Sequence, residues 1–135
     1  MSIKFNYFHL CENVIYSKDG QVSVINDFDQ VNFAMPDAKK EEKDKIKGGV
    51  FEFWAVGNIS TSTGKHTAEL EIKDKNEKVL ADPKSSIEVK KENKRVSFLW
   101  KLTIIFENAG EYTVRFIVDD EEQYITTFTV NFNKK

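Results

Sequence analysis

The densest group of metal-binding side chains in this sequence is the acidic run VDDEE at residues 118–122. Calcium takes about six to eight oxygen ligands and is commonly held by carboxylates on loops. Asp119, Asp120 and Glu122 are therefore candidate calcium ligands. Further carboxylates would come from Glu121 and, on other loops, from Asp27, Asp29 or Asp82. The alternative is a solvated hairpin tip that keeps the strand ends soluble. We favour this alternative and expect no metal site.

The two histidines and the single cysteine are the other side chains with chemical potential. His9, His66 and Cys11 are of the types that bind transition metals, and His9 and Cys11 would lie on one face of a strand. No local ligand motif accompanies them, and a free cysteine usually packs as a small apolar residue. A Cys–His nucleophilic pair would also require an orienting third group and oxyanion donors. Since no motif indicates either, we expect no catalytic residue.

Phosphate-binding loops are absent from the sequence. Gly48-Gly49 and the stretch STSTGKHT at residues 60–67 both lack the spacing of a P-loop. We therefore expect no cofactor.

Composition narrows the possible partners and compartment. The chain has 135 residues, with 22 acidic and 20 basic side chains and a net charge of -2. This balance gives no electrostatic reason to expect a nucleic-acid partner. One cysteine cannot form an intramolecular disulfide, which favours a reducing compartment. The N-terminus lacks a signal-peptide pattern, and no apolar stretch approaches the roughly 20 residues that span a bilayer. We expect one cytoplasmic domain over residues 1–135 with no membrane partner.

Period-two alternation indicates the elements that position these side chains. In RVSFLWKLTIIF (95–106) the even positions are apolar and most odd positions are polar. The stretches EYTVRFIV (111–118) and QYITTFTVNF (123–132) repeat the pattern. Successive side chains of a strand point to opposite faces, so each stretch predicts a strand with one buried face. We expect the even-numbered side chains from Val96 to Phe132 to share one core.

The remaining segments extend this pattern to an all-β fold. The stretch at 48–57 is apolar on both faces and predicts a central strand, 67–73 alternates clearly, and 85–92 predicts an edge strand. The charged segment 37–49 is either a short exposed helix or a loop. We expect seven to nine strands in an all-β, two-sheet antiparallel sandwich.

Strand parity also predicts two turns. Opposed residues in an antiparallel pair share a face, so inward even positions must pair with even positions. An odd-length loop at residues 120–122 would satisfy this requirement between the last two strands. The same argument predicts a loop at residues 18–20, with Gly20 in the left-handed conformation, which pairs Val14 with Val24.

The stretch NAGEYTV (108–114) resembles the tyrosine corner of immunoglobulin-like domains. The resemblance implies that the Tyr112 hydroxyl bonds to backbone a few residues upstream. The chain has no cysteine pair, and Asn108 stands where an aspartate is usual. The resemblance therefore implies an immunoglobulin-like sandwich but no antigen-type recognition.

Two segments, HLCENVIYSKDGQVSVINDFDQV (9–31) and GEYTVRFIVDDEE (110–122), resemble a small uncharacterised family of bacterial and phage proteins. The shared pattern is Leu-Cys-acidic, a turn ending in glycine, and an apolar strand that closes on Phe-acidic. The matching residues are Leu10, Cys11, Glu12, Gly20, Phe28 and Asp29. That family has no established activity, so the resemblance implies none.

Outward-facing apolar residues indicate a possible interface. These residues are Trp54, Leu99, Ile105, Ile117 and Ile125. Clustered together, they would exceed the normal scatter of exposed apolar side chains. The alternative is that segment 37–49 or the N-terminal strand covers them.

These observations favour a non-catalytic binding or assembly module. It would use a sheet face or a strand edge to bind a protein partner or a second copy. The alternative function is a calcium-binding, C2-like domain that uses the loop at 118–122. An enzyme is the least favoured class.

Overall fold

Every regular element in the structure, a computed structural model that describes residues 3–16, 22–35, 48–91 and 94–134, is a β-strand. The ten strands are β1 (Lys4–Tyr16), β2 (Val22–Asp27), β3 (Gln30–Met35), β4 (Gly49–Thr61), β5 (Gly64–Lys73), β6 (Val79–Ala81), β7 (Lys84–Val89), β8 (Lys94–Phe106), β9 (Gly110–Val118) and β10 (Glu121–Lys134). The all-β prediction is confirmed, with ten strands where the sequence indicated seven to nine. No described segment forms a helix with the length and apolar character needed to cross a bilayer. The segment predicted as helix or loop at 37–49 lies, up to residue 47, outside the described residues.

The strands form two sheets, as predicted. One has the order β2-β1-β4-β8, and the other has the order β3-β10-β9-β5-β6, with β7 also paired to β5. Strand β4 is central and β7 lies at an edge, as the sequence indicated. One pair departs from the antiparallel prediction, because β3 runs parallel to β10. The chain crosses from one sheet to the other just before β3. Phe28 N donates a hydrogen bond to Leu10 O, and Asp29 O accepts one from Thr129 N; both N···O distances are 3.0 Å.

The core between the sheets combines aromatic and aliphatic side chains. The predicted even-numbered side chains line it, including Trp100, Phe116 and Phe128, which are all buried. Tyr124 is the exception at 38% exposure. Phe116 packs against Gly57 of β4, where an added Cβ would lie 2.5 Å from the ring atom Cζ. A glycine is therefore needed for the ring to approach this strand.

The turn between β9 and β10 corrects the predicted loop at 120–122. Val118 pairs with Glu121, so the turn contains only two residues, Asp119 and Asp120. Both have positive φ, 51° and 65°, as a tight primed hairpin turn requires. A register shift after Glu122 then pairs Tyr124 with Phe116. Even positions therefore do pair with even positions, but a β-bulge supplies the extra residue instead of a longer loop.

The β1–β2 hairpin builds a second, smaller apolar cluster. Its register pairs Val14 with Val24, as predicted, while the loop at 18–20 lies outside the described residues. Cys11 and Val14 are both buried in this cluster, although their positions in β1 have opposite parity. Both residues pack in this cluster with Trp54 and Leu99.

Candidate functional site

His66, one of the sequence's candidate metal ligands, has no free ring nitrogen. The side chain is 1% exposed, and Nδ1 lies 2.6 Å from Asp119 Oδ2 while Nε2 lies 2.9 Å from Ser62 O. Carboxylate and carbonyl oxygens only accept, so these two contacts favour a ring with both nitrogens protonated. The hydroxyl of Thr61 also lies 3.3 Å from Nε2. The hydrogen bond to Asp119 raises the pKa of His66 above its usual value, although burial acts to lower it. The ring is therefore unsuited to proton abstraction or metal binding.

The acidic turn uses its carboxylates within the protein. Asp119 also accepts a hydrogen bond from Thr67 N at 2.9 Å, and Glu122 accepts one from Arg115 Nε at 2.7 Å. Asp120 is exposed. Within the described ranges, no three His, Cys, Asp or Glu side chains are grouped so that they could hold a metal ion. The structure thus directs Asp119 and Glu122 to different protein partners.

Cys11 and His9 occupy separate environments from His66. Cys11 is fully buried, and its Sγ lies 3.8 Å from Trp54 O. Burial raises the pKa of the Cys11 thiol to about 11, so the reactive thiolate is scarce at neutral pH. His9 Nδ1 lies 2.9 Å from Asp27 Oδ2 at the surface of the other sheet.

The structure also brings Asp82 together with Glu69, a carboxyl group that the sequence analysis did not single out. A hydrogen bond with Asp82 raises the pKa of Glu69. Glu69 also lines a surface cavity of about 350 Å³ together with Lys84, Ile117 and Asp119. These contacts depend on the pairing of β5 with β7 and β9, which sequence patterns did not specify.

The five residues predicted as an interface do not form one patch. Trp54 and Leu99 pack in the second cluster with Cys11 and Val14 of β1. Ile105 is 58% exposed on the same sheet. Ile117 is buried and Ile125 exposed on the opposite sheet.

The open edge of β8 is the most distinctive surface feature. This strand is the last of its sheet, and no other described strand pairs with its free side. It pairs with β4 over an uninterrupted register that runs from Phe106 opposite Gly49 to Lys94 opposite Thr61. The strand has 13 residues, and neither proline nor glycine is among them. An unpaired edge of this kind exposes a row of backbone donors and acceptors.

The other sheet edges are shorter. Strands β2, β3 and β7 have 6 residues each and β6 has 3. Natural proteins protect edges with short strands, bulges, prolines and lysines, and of these β8 has only basic residues. Lys101 Nζ lies 2.7 Å from Glu52 Oε1 on β4, so this side chain reaches back across its own sheet. Among the described residues, no strand occupies the open edge between Lys94 and Phe106.

Two side-chain features frame this edge. Trp100 Nε1 donates a hydrogen bond to Ser85 Oγ of β7, at a distance of 3.1 Å. This contact joins β7 to β8 through side chains and leaves the backbone of β8 unpaired with any described strand on that side. Val50 and Ile105 lie opposite each other at the far end, and both are more than half exposed, at 61% and 58%. The open backbone edge and the exposed side chain of Ile105 thus occur on the same strand, next to the exposed Val50 of β4.

The chain's fold is similar to parts of larger solved proteins. It matches the Pseudomonas fluorescens alkylpurine DNA glycosylase AlkC with a TM-score of 0.51 and 8% identity, covering 96% of this chain and 30% of the glycosylase. It also matches a β-glucosidase from Listeria innocua with a TM-score of 0.46 and 10% identity, covering 93% of this chain and 16% of that protein. At these identities only the fold is comparable.

Sequence comparison gives a family without a known activity. No curated protein matches the chain. Residues 51–131 match the sequence model of DUF6941, a family of unknown function. This match agrees with the expectation of an uncharacterised family and includes β8 and its partner β4 almost entirely. Since it covers more than half of the chain, the protein belongs to the DUF6941 family.

Proposed function

We propose that this protein is a non-catalytic binding module whose site is the open edge of β8. An extended segment of a protein partner adds to the edge as a further strand of the sheet. The observation that carries the proposal is the 13-residue strand with no bulge along its paired side. Backbone hydrogen bonds would supply affinity, and exposed side chains such as Ile105 would supply specificity.

The chemistry of the described residues supports a non-catalytic role. Both ring nitrogens of His66 are occupied, and the Cys11 thiol is buried. The carboxylate of Asp119 is engaged by His66 and by Thr67 N. These groups are engaged in contacts that hold strands together.

The strand order supports an immunoglobulin-like assignment within the sandwich class. The sets β1-β4-β8 and β5-β9-β10 correspond to the A-B-E and C-F-G sets of such domains. Tyr112 Oη donates a hydrogen bond to Asn108 O at a distance of 2.5 Å, which is the bond expected of a tyrosine corner. A cytoplasmic location is favoured by the single buried cysteine. The bacterial or phage origin implied by the sequence resemblance stays a prediction.

Hydrogen exchange tests the open edge directly. In an antiparallel strand pair, N–H groups point alternately toward and away from the neighbour. In the free protein, alternate amides of β8 should therefore exchange fast while those between them are protected. Uniform protection across Lys94–Phe106 would show that the edge is already covered and would overturn the proposal.

Binding is tested with a panel of ten-residue peptides. All are built on alternating Val and Thr, and they differ only in the charge of the residues substituted into that sequence. At least one should protect the fast-exchanging set of β8 amides. Proline placed at Thr103 or Leu102, whichever amide is free, should abolish binding because it removes an edge donor. Valine at the same position is the matched control and should bind normally. If no peptide protects these amides, strand addition at β8 is wrong.

A further inference from the structure

We infer that the segment that adds to β8 is acidic and runs antiparallel to it, with its carboxylates toward its own C-terminal end. This inference rests on the proposed function and specifies the partner. It follows from the distribution of charge along the edge, which is uneven. Two of the three cations of β8, Lys94 and Arg95, lie at its beginning, and the exposed Ile105, opposite Val50 of β4, lies at its end.

The beginning of β8 forms a basic corner, defined here as Lys90, Lys91, Lys94 and Arg95. All four side chains are exposed, and three of them line a cavity of about 650 Å³ together with Glu88. The stretch 88–95 has four cations and two carboxylates in sequence, in a chain whose net charge is -2. The basic corner is therefore a local positive region on a slightly acidic protein.

The outer row of β8 extends this charge pattern. From the basic corner onward, the odd positions alternate cationic, polar and apolar side chains in the order Arg95, Ser97, Leu99, Lys101, Thr103 and Ile105. No carboxylate occurs anywhere in β8. Opposite charges on directly paired strands are favourable, and like charges are unfavourable. An incoming strand is thus favoured when it places acids near Arg95 and an apolar residue near Ile105.

The antiparallel direction and the position of the basic corner together decide which half of the incoming strand carries the acidic residues. Antiparallel pairing is slightly more stable per residue than parallel pairing, and it places the C-terminal half of the incoming strand beside Lys94 and Arg95. A second copy of β8 fits less well, because it would bring more cations and no anion to this edge. An acidic segment of another protein is therefore the occupant that matches the edge.

Three peptides from the panel test this assignment. The first has two glutamates in its C-terminal half, the second has them in its N-terminal half, and the third has glutamines in their place. The first should bind about three- to tenfold more tightly than the third, which is the gain expected from a few exposed ion pairs. The advantage should shrink as salt rises from about 0.05 to 0.5 M.

Charge variants locate the effect. In the double variant Lys94→Gln, Arg95→Gln, the first and third peptides should bind equally. The control variant Lys75→Gln, Lys78→Gln changes two exposed lysines at the β5–β6 turn and should keep the preference. Hydrogen exchange in each complex reports whether β8 amides are protected, which a purely ionic contact at the basic corner would not cause.

Each alternative outcome is distinguishable. Equal binding of the acidic and neutral peptides, with β8 amides protected, overturns the acidic partner and leaves strand addition intact. Preference for the second peptide overturns the antiparallel direction. A single-stranded DNA oligonucleotide that competes at the basic corner without protecting β8 amides would identify a polyanion site and overturn the inference. A concentration-dependent dimer that protects the β8 amides by itself would assign the edge to a second copy.

Discussion

His66 Nδ1 lies 2.6 Å from Asp119 Oδ2, and this pair ties the start of β5 to the turn between β9 and β10. Ser62 O lies 2.9 Å from the other ring nitrogen, so the His66 ring also holds the β4–β5 turn. Asp119 strengthens the link by accepting from Thr67 N with its second oxygen. The buried His66 ring and the partly exposed Asp119 carboxylate thus join three chain segments at one end of the sandwich.

Replacing His66 with glutamine should lower the free energy of unfolding by about 1–3 kcal/mol near pH 6, because it removes a hydrogen bond between His66 and the charged Asp119 carboxylate. The folded-state pKa of His66 is raised, so its contribution is complete below the unfolded-state pKa of about 6.5 and is lost as pH rises through the folded-state value. The difference between wild type and H66Q should therefore narrow as pH increases above about 6.5. Urea unfolding of both proteins at a series of pH values measures this difference in the free energy of unfolding.

The control for this prediction is His9→Gln, which changes a partly exposed histidine that also contacts an aspartate, Asp27. It should alter stability by less than about 1 kcal/mol, as exposed ion pairs usually do. A pH-independent difference between wild type and H66Q would contradict a protonated His66.

Removal of the Tyr112 hydroxyl should destabilise the fold. Tyr112 is 3% exposed, and Tyr112→Phe would leave Asn108 O without its hydroxyl donor while keeping the packed ring. We expect a loss of about 1 kcal/mol in the free energy of unfolding. Tyr124→Phe, at a 38% exposed position, is the matched control and should be close to neutral. Equal effects of the two substitutions would show that the buried hydroxyl bond has no special role.

Local patterns predicted the strands well because alternation is a local consequence of strand geometry. The buried even-numbered residues of β8, such as Phe98 and Trp100, and the bond of Tyr112 were all anticipated. Strand order was not, because it depends on pairing between distant segments. The sequence therefore marked Leu99 and Ile105 as one outward set, whereas the β1–β2 hairpin covers Leu99 and leaves Ile105 exposed.

At the candidate site, too, the sequence predicted local features but not contacts between distant segments. The sequence suggested a strand edge in general terms, but it could not indicate that β8 is the last strand of its sheet. It also placed Asp119 among candidate calcium ligands, because the partner His66 is 53 residues away in sequence. Charge runs show which groups are present, and only the fold determines which of them are already paired.

The Asp119–Asp120 turn gives a stabilising prediction. Asp120 has φ of 65°, a conformation that glycine adopts without the steric cost of a side chain. Asp120→Gly should therefore raise the free energy of unfolding by about 0.5–1 kcal/mol, measured by urea unfolding. Asp119→Gly relieves similar strain at φ 51° but removes the partner of His66, so it should be destabilising. If both variants were stabilising, the His66–Asp119 pair would contribute little to the fold.

The close approach of Gly57 to Phe116 gives the last prediction. A Cβ at residue 57 would lie 2.5 Å from Phe116 Cζ, and this ring is also packed against Trp100 and Phe98. Gly57→Ala should cost about 1–3 kcal/mol through overpacking. In the background of Phe116→Leu, which removes the ring, the same substitution should cost at least about 0.5 kcal/mol less.

Gly64→Ala separates this steric effect from backbone strain. Gly64 has φ of 123° and no atom within 4 Å of an added Cβ, so its substitution is unfavourable only through the backbone. Its cost should therefore be the same with Phe116 or Leu at position 116. Additive free energies for Gly57→Ala and Phe116→Leu would mean that the core yields around residue 57, and that the ring does not require a glycine there.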